Sequence, residues 1–83
     1  MNKEKLLERI VIDSKIMVGK PTIKGTRLTV QLILKLLAQG MSTQEVLSEY
    51  QHITEEDIHA CLLFAANSLD RTTFAHFATG THE

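Results

Sequence analysis

Residues 29–69 read TVQLILKLLAQGMSTQEVLSEYQHITEEDIHACLLFAANSL. Three helical periods follow one another in this stretch, with a stop and a start at each junction. Val30, Ile33, Leu34, Leu37 and Ala38 share one helical face; Thr29 stands where an N-cap hydroxyl is needed and Gly40 where a helix ends. Leu32 and Leu36 widen that stripe, so the spacing predicts a central helix, apolar on most of its circumference and buried from several sides. Ser42 and Glu45 have the S-x-x-E spacing of a capping box and open a second helix of about two turns, with Val46, Leu47 and Tyr50 inward. After a tight connection over 51–53, Thr54 caps a third helix. Its first turn holds Glu55, Glu56 and Asp57, where the helix dipole favours negative charge. Ile58, Cys61, Leu62, Ala65, Ala66 and Leu69 then repeat at i, i+3, i+4, i+7 spacing. Leu63 and Phe64 fall off this stripe on opposite sides and need cover from the tail or from a second subunit.

Outward from this core, residues 3–9 can form a helical turn with Leu6, Leu7 and Ile10 on one side, and Ile10, Val11 and Ile12 read as a brief strand. Asp13 and Ser14 favour a turn. Pro21 cannot donate a ladder hydrogen bond, so a strand through Thr22 and Ile23 must be an edge or lightly paired. On the other side, DRTTFAHFATGTHE, residues 70–83, loses periodicity apart from Phe74 and Phe77, three apart. The chain therefore divides into a basic N-terminal segment with short strands over 1–29, a three-helix core over 30–69 and a tail over 70–83. The fold class is mainly α: a helix-turn-helix bundle preceded by short β elements.

The 83 residues make one domain with a modest core. An apolar fraction of 43% with few aromatics favours helix packing or self-association as the source of burial, and a homodimer is the expectation. One cysteine, Cys61, cannot form an internal disulfide, which suits a reducing cytoplasm. Glu4, Glu8 and Arg9 interrupt any signal-like apolar run, and nothing approaches a membrane span. Net charge is −1, yet residues 1–35 hold eight Lys/Arg against three Asp/Glu, and residues 36–83 hold one against seven. Two faces for two kinds of partner, or a head-to-tail dimer, would use such a split.

The segment MVGKPTIKGTR, residues 17–27, concentrates glycines and cations. It is not a P-loop: Gly19 and Gly25 enclose five residues and Gly25 precedes Thr26 rather than Lys. No dinucleotide fingerprint is present, and no cofactor is implied. His52, His59, His76 and His82 have no spaced carboxylate or cysteine partner; His59 and Cys61 point about 200° apart on a helix. We read no catalytic residue, no metal site and no enzyme. Lys15, Lys20, Lys24 and Arg27 crowd within a dozen or so residues, and glycines let backbone amides approach phosphate oxygens, which makes these four the candidate DNA-binding residues. Solvated cations on ordinary glycine turns are the competing reading. The third helix would lead into a groove with three carboxylates, which opposes binding to a polyanion, so any DNA contact falls to the basic segment.

The chain also resembles a known bacterial family, domain of unknown function 433. The likeness runs from about Glu8 to Asn67. It rests on Arg9, Ile10 and Asp13 of an R-I-x-x-D opening, on G-K-P-x-I-x-G-T-R from Gly19 to Arg27, on L-L-A-x-G-M-S from Leu36 to Ser42, and on Tyr50 followed by Thr54, Asp57 and Ile58. Family members commonly carry a second glycine before G-K-P and a proline after the tyrosine, where this chain has Val18 and Gln51. The resemblance implies a homeodomain-like bundle, usually a homodimer, and for many members an antitoxin role beside a PIN-like nuclease, with DNA binding at their own promoter. It brings no catalytic residues. On that reading Phe74, Phe77 and Phe64 are the candidate partner-binding residues, with packing of the two tail aromatics on Leu63 or Phe64 inside a dimer as the alternative. A dimeric interaction module with no nucleic-acid role is the rival to the whole functional reading.

Overall fold

In the computed structural model, residues 2–70 are described; the candidate residues Phe74 and Phe77, with His76 and His82, lie outside them. The described chain runs α1 (Lys3–Leu7), β1 (Ile10–Val11), a single 3-10 turn (Met17–Gly19), β2 (Thr22–Ile23), α2 (Val30–Ala38), α3 (Thr43–Glu49) and α4 (Glu55–Asp70). The mainly helical architecture with a short β prelude is the one the periodicity predicts.

The starts of the helices lie where the capping residues put them. Asn2 accepts from the Glu4 amide at 2.7 Å to open α1, and Thr29 accepts from the Leu32 amide at 3.0 Å to open α2. Ser42 and Glu45 exchange both bonds of the capping box, at 3.1 and 2.8 Å. Thr54 and Asp57 do the same: the Asp57 amide donates to Thr54 Oγ1 at 3.3 Å and the Thr54 amide to Asp57 Oδ2 at 2.9 Å. Each pair satisfies two amides that a helix start otherwise leaves open, which is worth roughly 1 kcal/mol per cap. Gly40 follows α2 with φ +103°, the left-handed stop its residue type allows.

The strands form one antiparallel hairpin with Ile10 opposite Ile23 and Val11 opposite Thr22, and an isolated bridge joins Thr22 to Thr29. Pro21 stays outside the pairing; its carbonyl accepts from the Val30 amide at 2.9 Å and anchors the start of α2. Ile23, Val30, Ile33, Val46, Ile53, Ile58 and Cys61 make one core, with Ile10, Leu34, Leu37, Leu47, Tyr50 and Phe64 packed around it.

Two expectations are corrected by the packing. The central helix is α4, which packs against α1, β1, α2 and α3; on α2, Val30 and Ile33 are buried while Leu32, Leu34, Leu36 and Leu37 stay half-buried. The inward stripe of α4 also differs from the sequence pattern. Asp57, Ile58, Ala60 and Cys61 are buried and Phe64 packs onto the core, whereas Leu62 and Leu69 are 45% and 57% exposed and Ala66 is exposed. Direction around the helix accounts for this: at 100° per residue Ala60, Cys61 and Phe64 lie on one side of α4 and Leu62, Ala66 and Leu69 on another, and Phe64, Ala65 and Asn67 stay half-buried beyond the exposed Leu62.

Candidate nucleic-acid interface and partner groove

The hairpin positions the four candidate cations. Lys15, Lys20, Lys24 and Arg27 are all exposed, and among the described residues none of them is in an ion pair. They do not form one cluster. Lys15 and Lys20 belong to the loop joining β1 to β2, whereas Lys24 and Arg27 belong to the turn that leaves the other end of β2. The two pairs therefore flank the hairpin at opposite ends, separated along the chain by β2.

Each end is a tight turn with its own cause. At the first, Asp13 Oδ1 accepts from the Lys15 amide at 2.9 Å, and the Gly19 and Lys20 amides donate to the Ile16 and Met17 carbonyls, each at 3.1 Å. Closing that loop takes three successive left-handed residues: Met17 at φ +50°, Val18 at +56° and Gly19 at +79°. Only glycine adopts this region without a Cβ clash, and Val18 is β-branched as well, so the turn carries roughly 1–2 kcal/mol of strain at that residue. Val18 is 92% exposed and no burial offsets the strain. At the second end, Gly25 has φ +82° and open space where a Cβ would stand, so conformation rather than room selects glycine there. Thr26 stabilises this turn by donating its hydroxyl to the Ile23 carbonyl at 2.8 Å and accepting from the Leu28 amide at 3.0 Å.

Lys24 differs from the other three cations. Its amide donates to the Arg9 carbonyl at 2.7 Å, and its side chain lines a polar cleft of about 390 Å³ with Glu8, Arg9 and Asp57. Two carboxylates already share that space. Within it Arg9 Nη1 donates to Asp57 Oδ1 at 3.1 Å, an ion pair between residues 48 positions apart that ties the approach to β1 to the first turn of α4. Glu55 and Glu56, at the front of α4, are exposed.

The other candidates of the sequence separate as follows. His52 and His59 are exposed. Cys61 is fully buried, and burial, helped by the Asp57 carboxylate, pushes its thiol up to about 12 from an ordinary value of 9.0. It is held as an inert thiol by desolvation of the thiolate. Among the described residues no three His, Cys, Asp or Glu side chains gather into a group able to hold a metal ion, and no helix is long and apolar enough to cross a membrane.

Phe64 has a place that periodicity did not reveal. It forms a wall of an apolar groove of about 350 Å³ between α2 and the outer half of α4, lined by Pro21, Val30, Leu34, Phe64, Ala65 and Leu69 among others. On its other side Phe64 also borders a hollow of about 310 Å³ with Leu7 and Ile12. Sequence reasoning missed both this groove and the Arg9–Asp57 bridge. The off-stripe place of Phe64 in the α4 repeat was the available signal for the groove.

Three comparisons with known proteins bear on this arrangement. The profile of the family described as "Protein of unknown function (DUF433)" matches residues 10–65. The chain belongs to the DUF433 family. A crystal structure of a DUF433 member from Anabaena variabilis superposes with a TM-score of 0.73 at 25% identity, over 82% of this chain and 67% of that one. An uncharacterized protein of Archaeoglobus fulgidus is 57% identical over 30 residues, which are 36% of this chain and 83% of that protein. In this DUF433 chain the matched region takes in both hairpin ends, the core and the start of the groove, and it stops within α4 at Ala65.

Proposed function

We propose that this DUF433 protein is a dimeric antitoxin that binds and neutralises a PIN-like nuclease and binds DNA at its own promoter, a binding protein rather than an enzyme. The observation that carries the nucleic-acid part is the condition of Lys15, Lys20 and Arg27: exposed, without an ion pair among the described residues, and mounted on two tight turns. Exposed cations on tight turns suit phosphate contacts. Lys24 contributes less, because Glu8 and Asp57 share its cleft. The acidic front of α4 keeps that helix off the DNA and leaves it to the protein partner. The nuclease part draws on the family resemblance and on the apolar groove beside Phe64, where an aromatic anchor is typical of a binding hot spot.

The rival reading, a dimeric interaction module with no nucleic-acid role, is favoured by that same groove and by the carboxylates around Lys24. Gel shifts with promoter DNA at several salt concentrations separate the two. The quadruple change of Lys15, Lys20, Lys24 and Arg27 to Gln is expected to weaken binding and to flatten the salt slope by roughly 0.9 for each phosphate that is no longer neutralised. Among single changes Lys24→Gln is expected to have the smallest effect. An unchanged slope in the quadruple variant removes these cations from the interface, and no shift by the wild-type protein even at low salt favours the rival.

A further inference from the structure

We propose that the outer stripe of α4 is the surface on which a second copy of this chain docks, as an antiparallel helix pair about a two-fold axis between Ala65 and Ala66. The proposal rests on the dimer of the preceding reading and names its face; its readout is mass rather than nucleic-acid binding, which keeps it apart from the DNA part.

Three observations carry it. First, the stripe is apolar and, among the described residues, uncovered: Leu62 and Leu69 are 45% and 57% exposed, Ala66 is exposed, and the apolar groove opens alongside at Ala65 and Leu69. From Ile58 to Leu69 the helix contains no Asp, Glu, Lys or Arg, so nothing on this length of α4 requires water as strongly as a charge does. Second, the order of residues is a palindrome. Leu62, Ala65, Ala66 and Leu69 read the same from either end. A two-fold interface brings one patch against itself, so residue i meets j and j meets i. With the axis between Ala65 and Ala66, each Leu62 faces Leu69 of the second copy and each Ala65 faces Ala66 of the second copy. Third, the sizes suit that arrangement. Alanines at the crossing let two helices approach to about 8 Å, and leucines one turn out on each side fill the widening gap. Leu62, Ala65 and Leu69 keep the 3-then-4 spacing of a helix-helix seam. An unrelated partner helix could use an apolar groove, but it would not call for this self-matching order.

The test is the mass of the full chain in solution, followed over concentration by sedimentation or light scattering. The wild-type protein is expected to be a dimer that dissociates on dilution. Ala66→Glu brings two carboxylates together at the axis and is expected to weaken the dimer by about 100-fold or more, since like charges juxtaposed at an interface cost several kcal/mol. Ala66→Lys should behave alike, and mixing the two variants should restore a dimer. Because Ala66 is exposed, the helical circular dichroism of these variants should match that of the wild type; should either misfold, Leu69→Ser gives the same reading through weakened packing. A wild-type chain that stays monomeric at high concentration overturns the proposal and leaves the groove to a different partner. A dimer that Ala66→Glu or Leu69→Ser leaves unweakened overturns it too, and assigns the dimer to another face.

Discussion

The inner half of α4, residues 55–61, and its outer half, residues 62–70, continue one helix and one apolar repeat, yet they meet opposite fates. Ile58 and Cys61 are fully buried in the core, while Leu62 and Leu69, in the same apolar repeat, remain 45% and 57% exposed. The difference is set by which side of the helix the neighbours occupy, since Phe64 and Asn67 stay half-buried beyond the exposed Leu62. A helical repeat tells which face is apolar; only the placement of the opposing elements tells how much of that face the monomer covers. The uncovered remainder is then available for association.

The comparison can be broken most forcefully with two alanines. Ile58→Ala should cost about 2–5 kcal/mol, as deletion of a fully buried aliphatic chain into a rigid core does. Leu62→Ala, measured by denaturant unfolding at a dilution where the chain is monomeric, should stay within about 0.5 kcal/mol. Equal losses would mean that the two halves are not differently covered. Next in size is Asp57→Ala, which removes the N3 side of the α4 cap and leaves the Arg9 guanidinium without its partner. Stability should fall by about 1–3 kcal/mol. Arg9→Ala should cost less, because Arg9 is more exposed and the Thr54–Asp57 cap survives; a larger loss there would make the bridge rather than the cap the source of stability.

The pH dependence sharpens the inner half specifically. The folded state holds the Cys61 proton up to about 12, whereas the unfolded chain releases it near 9.0. Stability from this group is therefore fully present below the unfolded value and declines by about 1.4 kcal/mol per pH unit as pH rises between the two. Cys61→Ala should show a shallower decline than the wild type between pH 9 and 11. Parallel curves would show that the thiol is not desolvated in the folded state. Smallest is Val18→Gly at the strained hairpin loop, expected to raise stability by about 0.5–1 kcal/mol, since relief of left-handed strain exceeds the added freedom of the unfolded chain. A loss at that position would mean the valine is held by interactions that outweigh its backbone.

How much of this was legible beforehand follows from the range of each interaction. The caps at Thr29, Ser42 and Thr54 involve residues three apart and were readable directly, as were the three helices of the core. Gly40 and Gly25 were readable because their backbone angles admit few other residues. The central place of α4 was not, because an apolar circumference on α2 describes what could be buried and not what arrives to bury it. The Arg9–Asp57 bridge joins positions 48 apart and leaves no local pattern. The four cations are exposed, but their separation into two pairs depends on the hairpin register, Ile10 with Ile23, which periodicity over two-residue strands does not specify.

The division of α4 is tested most directly by methyl NMR of the full-length chain over a dilution series. The account predicts that the Leu62 and Leu69 methyl signals shift with concentration while those of Ile33 and Ile58 stay fixed. Leucine signals that do not move across the series, or isoleucine signals that move with them, would contradict it.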